Sequence, residues 1–303
     1  MVIGLPRLGI YSNITKQLFE TLGCQVVMPN KVSQEIIKPG VMNSPDMICY
    51  PYKVTLGQEI WNLEHGATDL IMFNTRGRCR FRHYHQLQEH TLRNLGYNFI
   101  MHTISATNFF PVLMKLTGAS PFRLTRAMLE ALSRIREIDR QAYNNNSSIK
   151  IGIVGEIYTM LESDINFDIV QKLQRMGVAV DMSLTLSHWF KKELKLDFFE
   201  KREEKREAKQ LLNEPIGGHG FESIYNTIYY GKNGFDGVIH LLPLSCAPES
   251  IIEVLVDQVA DKYNIALYRF PIDESNFEQG FLTRLETFVA MIKRKRQNEV
   301  PGD

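Results

Sequence analysis

Cysteine is scarce in this chain: Cys24, Cys49, Cys79 and Cys246 are the four among 303 residues. Thiols this few and this scattered exclude a disulfide scaffold, and no CxxC pair marks a local metal or redox motif. An excess of one charge is also missing. With 35 Lys and Arg against 34 Asp and Glu, the formal charge is +1, so no global field favours nucleic acid or a membrane as partner. No uninterrupted apolar run is long enough to span a bilayer. The opening MVIGLPRLGI lacks the basic segment and long apolar core of a signal peptide, which predicts a cytoplasmic protein with reduced thiols. The GxxxxGKS/T phosphate loop, the GxSxG elbow and the HExxH zinc helix are absent. GIVGEI (152–157) follows a predicted strand but lacks the full GxGxxG and precedes no clean helix start.

What is present is ordinary for a globular chain, 44% hydrophobic and 23% charged, at a length that suggests two domains. Apolar strand patterns at 2–5, 24–28, 69–73 and 98–102 alternate with helical periodicity at 10–22 and 83–95 and from Ser44-Pro45-Asp46 to Glu64. A long helical stretch, 120–143, closes on the polar run Asn144–Ser148, the clearest boundary in the chain. A second cycle then begins, with strands at 149–154, 178–181, 237–242 and 265–270 and helices at 165–176, 221–230, 249–263 and 277–295. The charged run 191–209 reads as one solvated helix. This order predicts an α/β fold of two Rossmann-like lobes with mainly parallel sheets. The predicted divisions are an N-terminal lobe over 1–119, a connecting helix and linker over 120–148, and a C-terminal lobe over 149–303.

Three of the cysteines fall at strand–helix joints, where open α/β sheets bind ligands. Cys246 sits in HLLPLSCAPES between a strand and a helix. Cys79 sits in FNTRGRCRFRHY among Arg76, Arg78, Arg80 and Arg82. Cys49 lies near a helix start, beside Pro51 and close to Lys53. Cationic neighbours and helix starts favour thiolates. Cys24, in LGCQVV, lies inside a buried strand pattern and is left out of any site. Spacing alone leaves three readings open: inert thiols, a cubane iron–sulfur cluster with a non-cysteine ligand on its fourth iron, or zinc held by three Cys and one His. Of the histidines in HYHQLQEH (83–90), no two have the i,i+4 spacing that would place both on one metal.

Several stretches resemble the 2-hydroxyacyl-CoA dehydratase superfamily, in particular its activase-related branch. They are IGLPRLGIYSNITKQLFETLGCQVV (3–27), DMICYPYKVTLG (46–57), GRCRFRHYHQLQ (77–88), IKIGIVGEIYTMLES (149–163), GGHGFESI (217–224) and GFDGVIHLLPLSCAPESI (234–251). That superfamily includes dehydratase and benzoyl-CoA reductase subunits and double-cubane-cluster proteins. The resemblance implies paired Rossmann-like lobes with an oxygen-sensitive iron–sulfur cluster in the cleft, most simply 4Fe–4S, with a double cubane as the variant. It marks Cys49, Cys79 and Cys246 as ligands and omits Cys24. It also implies an ATP-hydrolysing iron–sulfur activator as electron donor, an acyl-CoA or other small molecule as substrate, and a homologous second subunit. An electron carrier or scaffold of the same system is the alternative. The chain departs from the dehydratases in being short, and no stretch in it is assignable to CoA.

Two more residues join the candidates as catalytic groups. His219, between glycines in IGGHGFES, reads either as an acid/base or cluster contact or as a turn cap. Glu156 follows strand 149–154 directly, and its alternative is a solvent-exposed loop carboxylate. His240, within a strand, reads as a satisfied core histidine.

Overall fold

The computed structural model describes residues 1–74, 79–105, 107–143, 147–194, 196, 200–212 and 214–299. The chain divides into two compact units, Met1–Gln141 with Thr185–Phe198, and Ala142–Leu184 with Phe199–Asp303. The predicted boundary residues Asn144–Asn146 lie outside the described residues.

The first unit is built on four parallel strands, β1 (Val2–Gly4), β2 (Gln25–Val27), β3 (Asp69–Phe73) and β4 (Ile100–Ile104), in the order β2-β1-β3-β4. Asp69–Phe73 pairs residue by residue with Ile100–Ile104. Its helices are α1 (Ser12–Thr21), α2 (Gln34–Met42), α3 (Tyr50–Glu64), α4 (Tyr84–Asn94), α5 (Phe109–Thr117) and α6 (Pro121–Tyr143). Helices on the connections of a parallel sheet bury its strands, so Ile3, Leu5, Ile71 and Ile104 share a core with Phe19, Leu22, Cys24, Leu113 and Leu124. Cys24 is thus a core side chain, and burial pushes its thiol pKa up.

The second unit repeats the plan. Its strands β5 (Ile149–Gly155), β6 (Val178–Met182), β7 (Gly237–Pro243) and β8 (Ala266–Ile272) are parallel in the order β6-β5-β7-β8. α7 (Ile157–Leu161) and α8 (Ile169–Arg175) come first. α9 (Leu186–Glu193) belongs to the first unit, where Ser187 Oγ and Tyr11 Oη both donate to Asp139 of α6. α10 (Arg202–Leu211), α11 (Gly220–Lys232), α12 (Ala247–Lys262) and α13 (Glu278–Glu299) complete the chain. The two lobes are therefore Rossmann-like, as the alternation predicts. Among the described residues, no helix is long and apolar enough to cross a membrane.

Four local expectations need correction. The helix expected from Ser44 starts at Tyr50, because Pro45–Ile48 form a turn and the proline of the first helical turn is Pro51. α2 has no counterpart in the predicted pattern, since Pro39 and Gly40 interrupt its signal. It forms because Gly40 and Gly57 let α2 and α3 cross with backbone against backbone. A Cβ at Gly40 would lie 2.0 Å from the Lys53 carbonyl oxygen, and one at Gly57 would lie 2.1 Å from that of Ile36. A helix does begin after GIVGEI, since Glu156 caps α7. The charged run is not one helix. α9 ends at Glu193, Lys201 adopts a left-handed conformation (φ 50°), and α10 buries Ala208 in a core with Ile224, Ile228 and Ile252. Residues 195 and 197–199 of that run lie outside the described residues.

Candidate functional site

In the first unit, Cys49 is the N-cap of α3, in extended conformation (φ −69°, ψ 148°), with Pro51 in the first turn. Cys79, also extended (φ −72°, ψ 142°), caps a short 3-10 turn, Arg80–His83, that runs into α4. Neither sulfur serves as a cap acceptor. The first residue of α4, Tyr84, is buried and brings its hydroxyl onto Cys49 Sγ. Its ring packs edge-on against Tyr52, with centroids 5.0 Å apart, and against Phe81 of the Cys79 turn, also at 5.0 Å. Arg80 Nη1 donates to the Met47 carbonyl at 3.2 Å, a second tie between the Cys79 turn and the Cys49 loop. One turn further along, Gln88 Nε2 donates to Thr55 Oγ1 at 2.8 Å. Lys53 is buried in the first turn of α3, while Arg80 and Arg82 are exposed. Arg76 and Arg78 lie outside the described residues.

Deeper in α3, Glu59 is buried, and neither carboxyl oxygen has a hydrogen-bond partner among the described residues. Burial pushes its pKa well above the ordinary carboxyl value, which favours its neutral form. Burial likewise pushes the Tyr52 phenol up to about 12.

In the second unit, β7 ends at Pro243 and Cys246 caps α12 (φ −75°, ψ 98°). Between them Ser245 holds φ +60°, a left-handed conformation that a non-glycine residue adopts at a cost of about 1–3 kcal/mol. The Cys246 amide returns to the Pro243 carbonyl at 3.0 Å, which closes the turn. Glu249, the third residue of α12, turns its carboxylate inward. It accepts from His240 Nε2 at 2.8 Å and from Ser223 Oγ at 2.9 Å. His240 and Glu249 are each 0% exposed, so the strand histidine is a core residue as expected, but it is satisfied only at Nε2; its buried Nδ1 has no partner among the described residues.

His219 is buried at the N-cap of α11, and its carbonyl accepts from the Ser223 amide at 2.9 Å. Gly220 lets that helix start against the start of α12, since a Cβ there would lie 3.0 Å from the Pro248 carbonyl oxygen. Glu156 follows Gly155, whose φ of +143° and close approach to the Leu241 carbonyl admit no side chain. Its carboxylate accepts from the amides of Tyr158 (3.0 Å) and Thr159 (2.8 Å) and from Thr159 Oγ1 (2.9 Å). Burial raises its pKa, these donors oppose the rise, and the nearby charge of Glu249 adds to it. Glu156 is therefore a buried capping carboxylate rather than a solvent-exposed loop residue.

The shared strand order relates these positions. Cys79 and Cys246 each follow the third strand of their own sheet, β3 and β7. Cys49 and His219 each cap the helix that leads into that third strand. Both pairs thus fall at the carboxyl edges of the sheets, where doubly wound folds gather ligands. Among the described residues, no group of three or more His, Cys, Asp or Glu side chains is placed to hold a metal ion. Tyr84 and Glu249 escape the sequence reading. Glu249 left a trace, as the glutamate three residues after Cys246, in capping-box position. Tyr84 left none, because its role depends on how α4 lies against α3.

The class defined by this architecture is an α/β protein of two parallel-sheet Rossmann-like units with cysteines at their carboxyl edges. Within that class, residues 2–73, from β1 through β3, match the family described as CoA enzyme activase, uncharacterised domain. The matched segment contains Cys49 and ends before Cys79. A search of curated proteins finds no match.

Proposed function

We propose that this protein is the iron–sulfur component of an ATP-driven, low-potential reductase or dehydratase system of the 2-hydroxyacyl-CoA dehydratase type. Cys49, Cys79 and Cys246 supply three thiolates to one cluster, of 4Fe–4S type. The observation that carries the reading is that these three, and not Cys24, occupy extended N-cap positions at the carboxyl edges of the two sheets. The donor set fits. The starts of α3 and α12 favour anionic sulfur, and three thiolates leave the fourth iron of a cubane for another ligand. When bound, such a cluster supplies a low-potential electron. The likeness of residues 2–73 to a CoA enzyme activase domain supports partnership with an acyl-CoA dehydratase system. In this reading an ATP-hydrolysing iron–sulfur activator delivers the electron, a homologous subunit completes the unit, and an acyl-CoA is the substrate class. His219 and Glu156, both buried at the carboxyl edge of the second sheet, are its proton-handling groups. An electron carrier of the same system is the second reading, favoured by the lack of any stretch assignable to CoA.

Strictly anoxic purification with iron, sulfide and zinc analysis tests the proposal. Iron and sulfide near four each per chain are expected. Ala at Cys49, Cys79 or Cys246 abolishes incorporation, whereas Cys24→Ala retains it. A colourless protein with stoichiometric zinc, or cluster loss only with Cys24→Ala, overturns the assignment. Turnover of acyl-CoA with activator, ATP and reductant separates the enzyme from the carrier.

A further inference from the structure

α10 is attached to the second unit mainly through charge. The chain leaves that unit after Leu184, packs α9 in the first, returns at Phe199 and enters α10 through Lys201. Ala208 is the one buried residue among the ten of α10, whereas nine of thirteen are buried in α11 beneath it. A helix this short is marginal in water, so its contacts with α11 and α12 decide whether it stays. Most of those contacts are polar. Lys201 Nζ donates to Asn226 Oδ1, and Asn226 is 0% exposed. The same ammonium lies 4.1 Å from the centroid of the Tyr229 ring and 5.9 Å from that of Tyr230. One turn on, Lys205 lies 5.4 Å from the Tyr225 centroid. Glu207 accepts from Lys262 Nζ and Tyr263 Oη, each at 2.7 Å, and from Lys232 Nζ at 2.9 Å. Lys201 also holds φ +50°, a left-handed conformation that is strained for a residue with a Cβ. Burial pushes its ammonium pKa down, and the charge of Asp181 on β6 opposes that shift.

We propose that α10 is a charge-latched cover that opens as one piece from the aromatic face of α11, with Lys201 as its latch. Local opening is easiest where few apolar contacts must break. Lifting α10 takes one alanine out of the core of Ile224, Ile228 and Ile252 and uncovers Tyr225 and Tyr229, while the sheet keeps its own hydrogen bonds and packing. The latch is Lys201 rather than Glu207 because of solvent. A desolvated cation that lies over a ring and donates to a buried amide oxygen holds more strongly than an ion pair in water. Lys262, on Glu207, is 61% exposed. No metal or cluster enters this inference, so it stands apart from the cluster reading.

Hydrogen–deuterium exchange of the full chain, read by mass spectrometry over α10 and over β5 and β7, tests the inference. In wild type, α10 is expected to exchange as a block, about tenfold or more faster than the two strands. Lys201→Met keeps the stem and removes the charge. It is expected to speed exchange in α10 by about a further tenfold and to leave the strands as they were. Lys201→Arg, which keeps a cation over the ring, is expected to exchange as wild type does. Strand-like protection of α10 in wild type overturns the proposal, and that measurement needs no variant. Equal exchange in wild type and K201M also overturns it. So does faster exchange in K201M spread evenly over helix and strands, since a general loss of stability then explains it. K201R exchanging as fast as K201M overturns it as well, because charge is then not what holds the helix.

Discussion

Gly57→Ala probes the crossing that delivers Cys49. The added Cβ would lie 2.1 Å from the Ile36 carbonyl oxygen and 3.1 Å from its carbon, both backbone atoms of α2. No rotamer relieves such a contact, so the two helices must separate by about an ångström to restore ordinary van der Waals distance. Overpacking of this kind costs about 1–3 kcal/mol, and exchanging a helical glycine for alanine returns at most about 1 kcal/mol. The net expectation is a loss of about 1–2 kcal/mol, or a Tm lower by about 2–8 °C for a unit of this size. Gly280→Ala is the control. Gly280 also lies in a helix, but an added Cβ there meets nothing within 4 Å, so the change is expected to be neutral or to stabilise by up to about 1 kcal/mol. Urea and thermal unfolding of both variants decide the matter. A G57A protein as stable as G280A would refute the claim that α2 and α3 meet backbone to backbone. A second readout follows from position. Because Gly57 lies two turns from the Cys49 cap, a displaced α3 is expected to lower cluster incorporation in G57A and not in G280A.

The remaining predictions concern buried carboxyls. Burial raises the pKa of Glu59 in the folded chain, so its contribution to stability is complete below the unfolded carboxyl pKa and is lost as pH rises through the raised folded value. Over that window wild-type stability falls by up to about 1.4 kcal/mol per pH unit; Glu59→Gln removes this decline, and urea midpoints from pH 4 to 9, read at about one-unit steps, check it. Parallel profiles for the two proteins would show that Glu59 is not the group responsible. Glu249→Ala strips the acceptor from buried His240 and Ser223 and is expected to cost about 3 kcal/mol, whereas Glu249→Gln, which keeps an acceptor oxygen, costs about half that. Denaturant unfolding that ranks the two variants equally would sink the hydrogen-bond account.

Periodicity along the chain was enough to determine the alternation of strand and helix, and with it two parallel-sheet units, because apolar patterning is a local property. It also placed Cys24 in an apolar strand context, and the structure buries that thiol in the core, as it also buries Cys49 and Cys246. Placement at strand–helix joints held for Cys79 and Cys246, whereas Cys49 lies between α2 and α3; all three cap helical segments. Only the tertiary structure decided what faces them. The Tyr84 hydroxyl reaches Cys49 because α4 lies on α3, a contact across 35 positions of chain. Glu249 turns inward because His240 and Ser223, from a strand and another helix, wait there with donors. Glu156 is a buried cap rather than a surface carboxylate because Gly155 brings β5 hard against the Leu241 carbonyl of β7. α2 was hidden for the same reason. Pro39 and Gly40 weaken the helix locally, and the glycine earns its place only when Gly57 of α3 arrives opposite. Local sequence carries propensity and pattern, whereas close approach and desolvation arise from residues far apart in the chain.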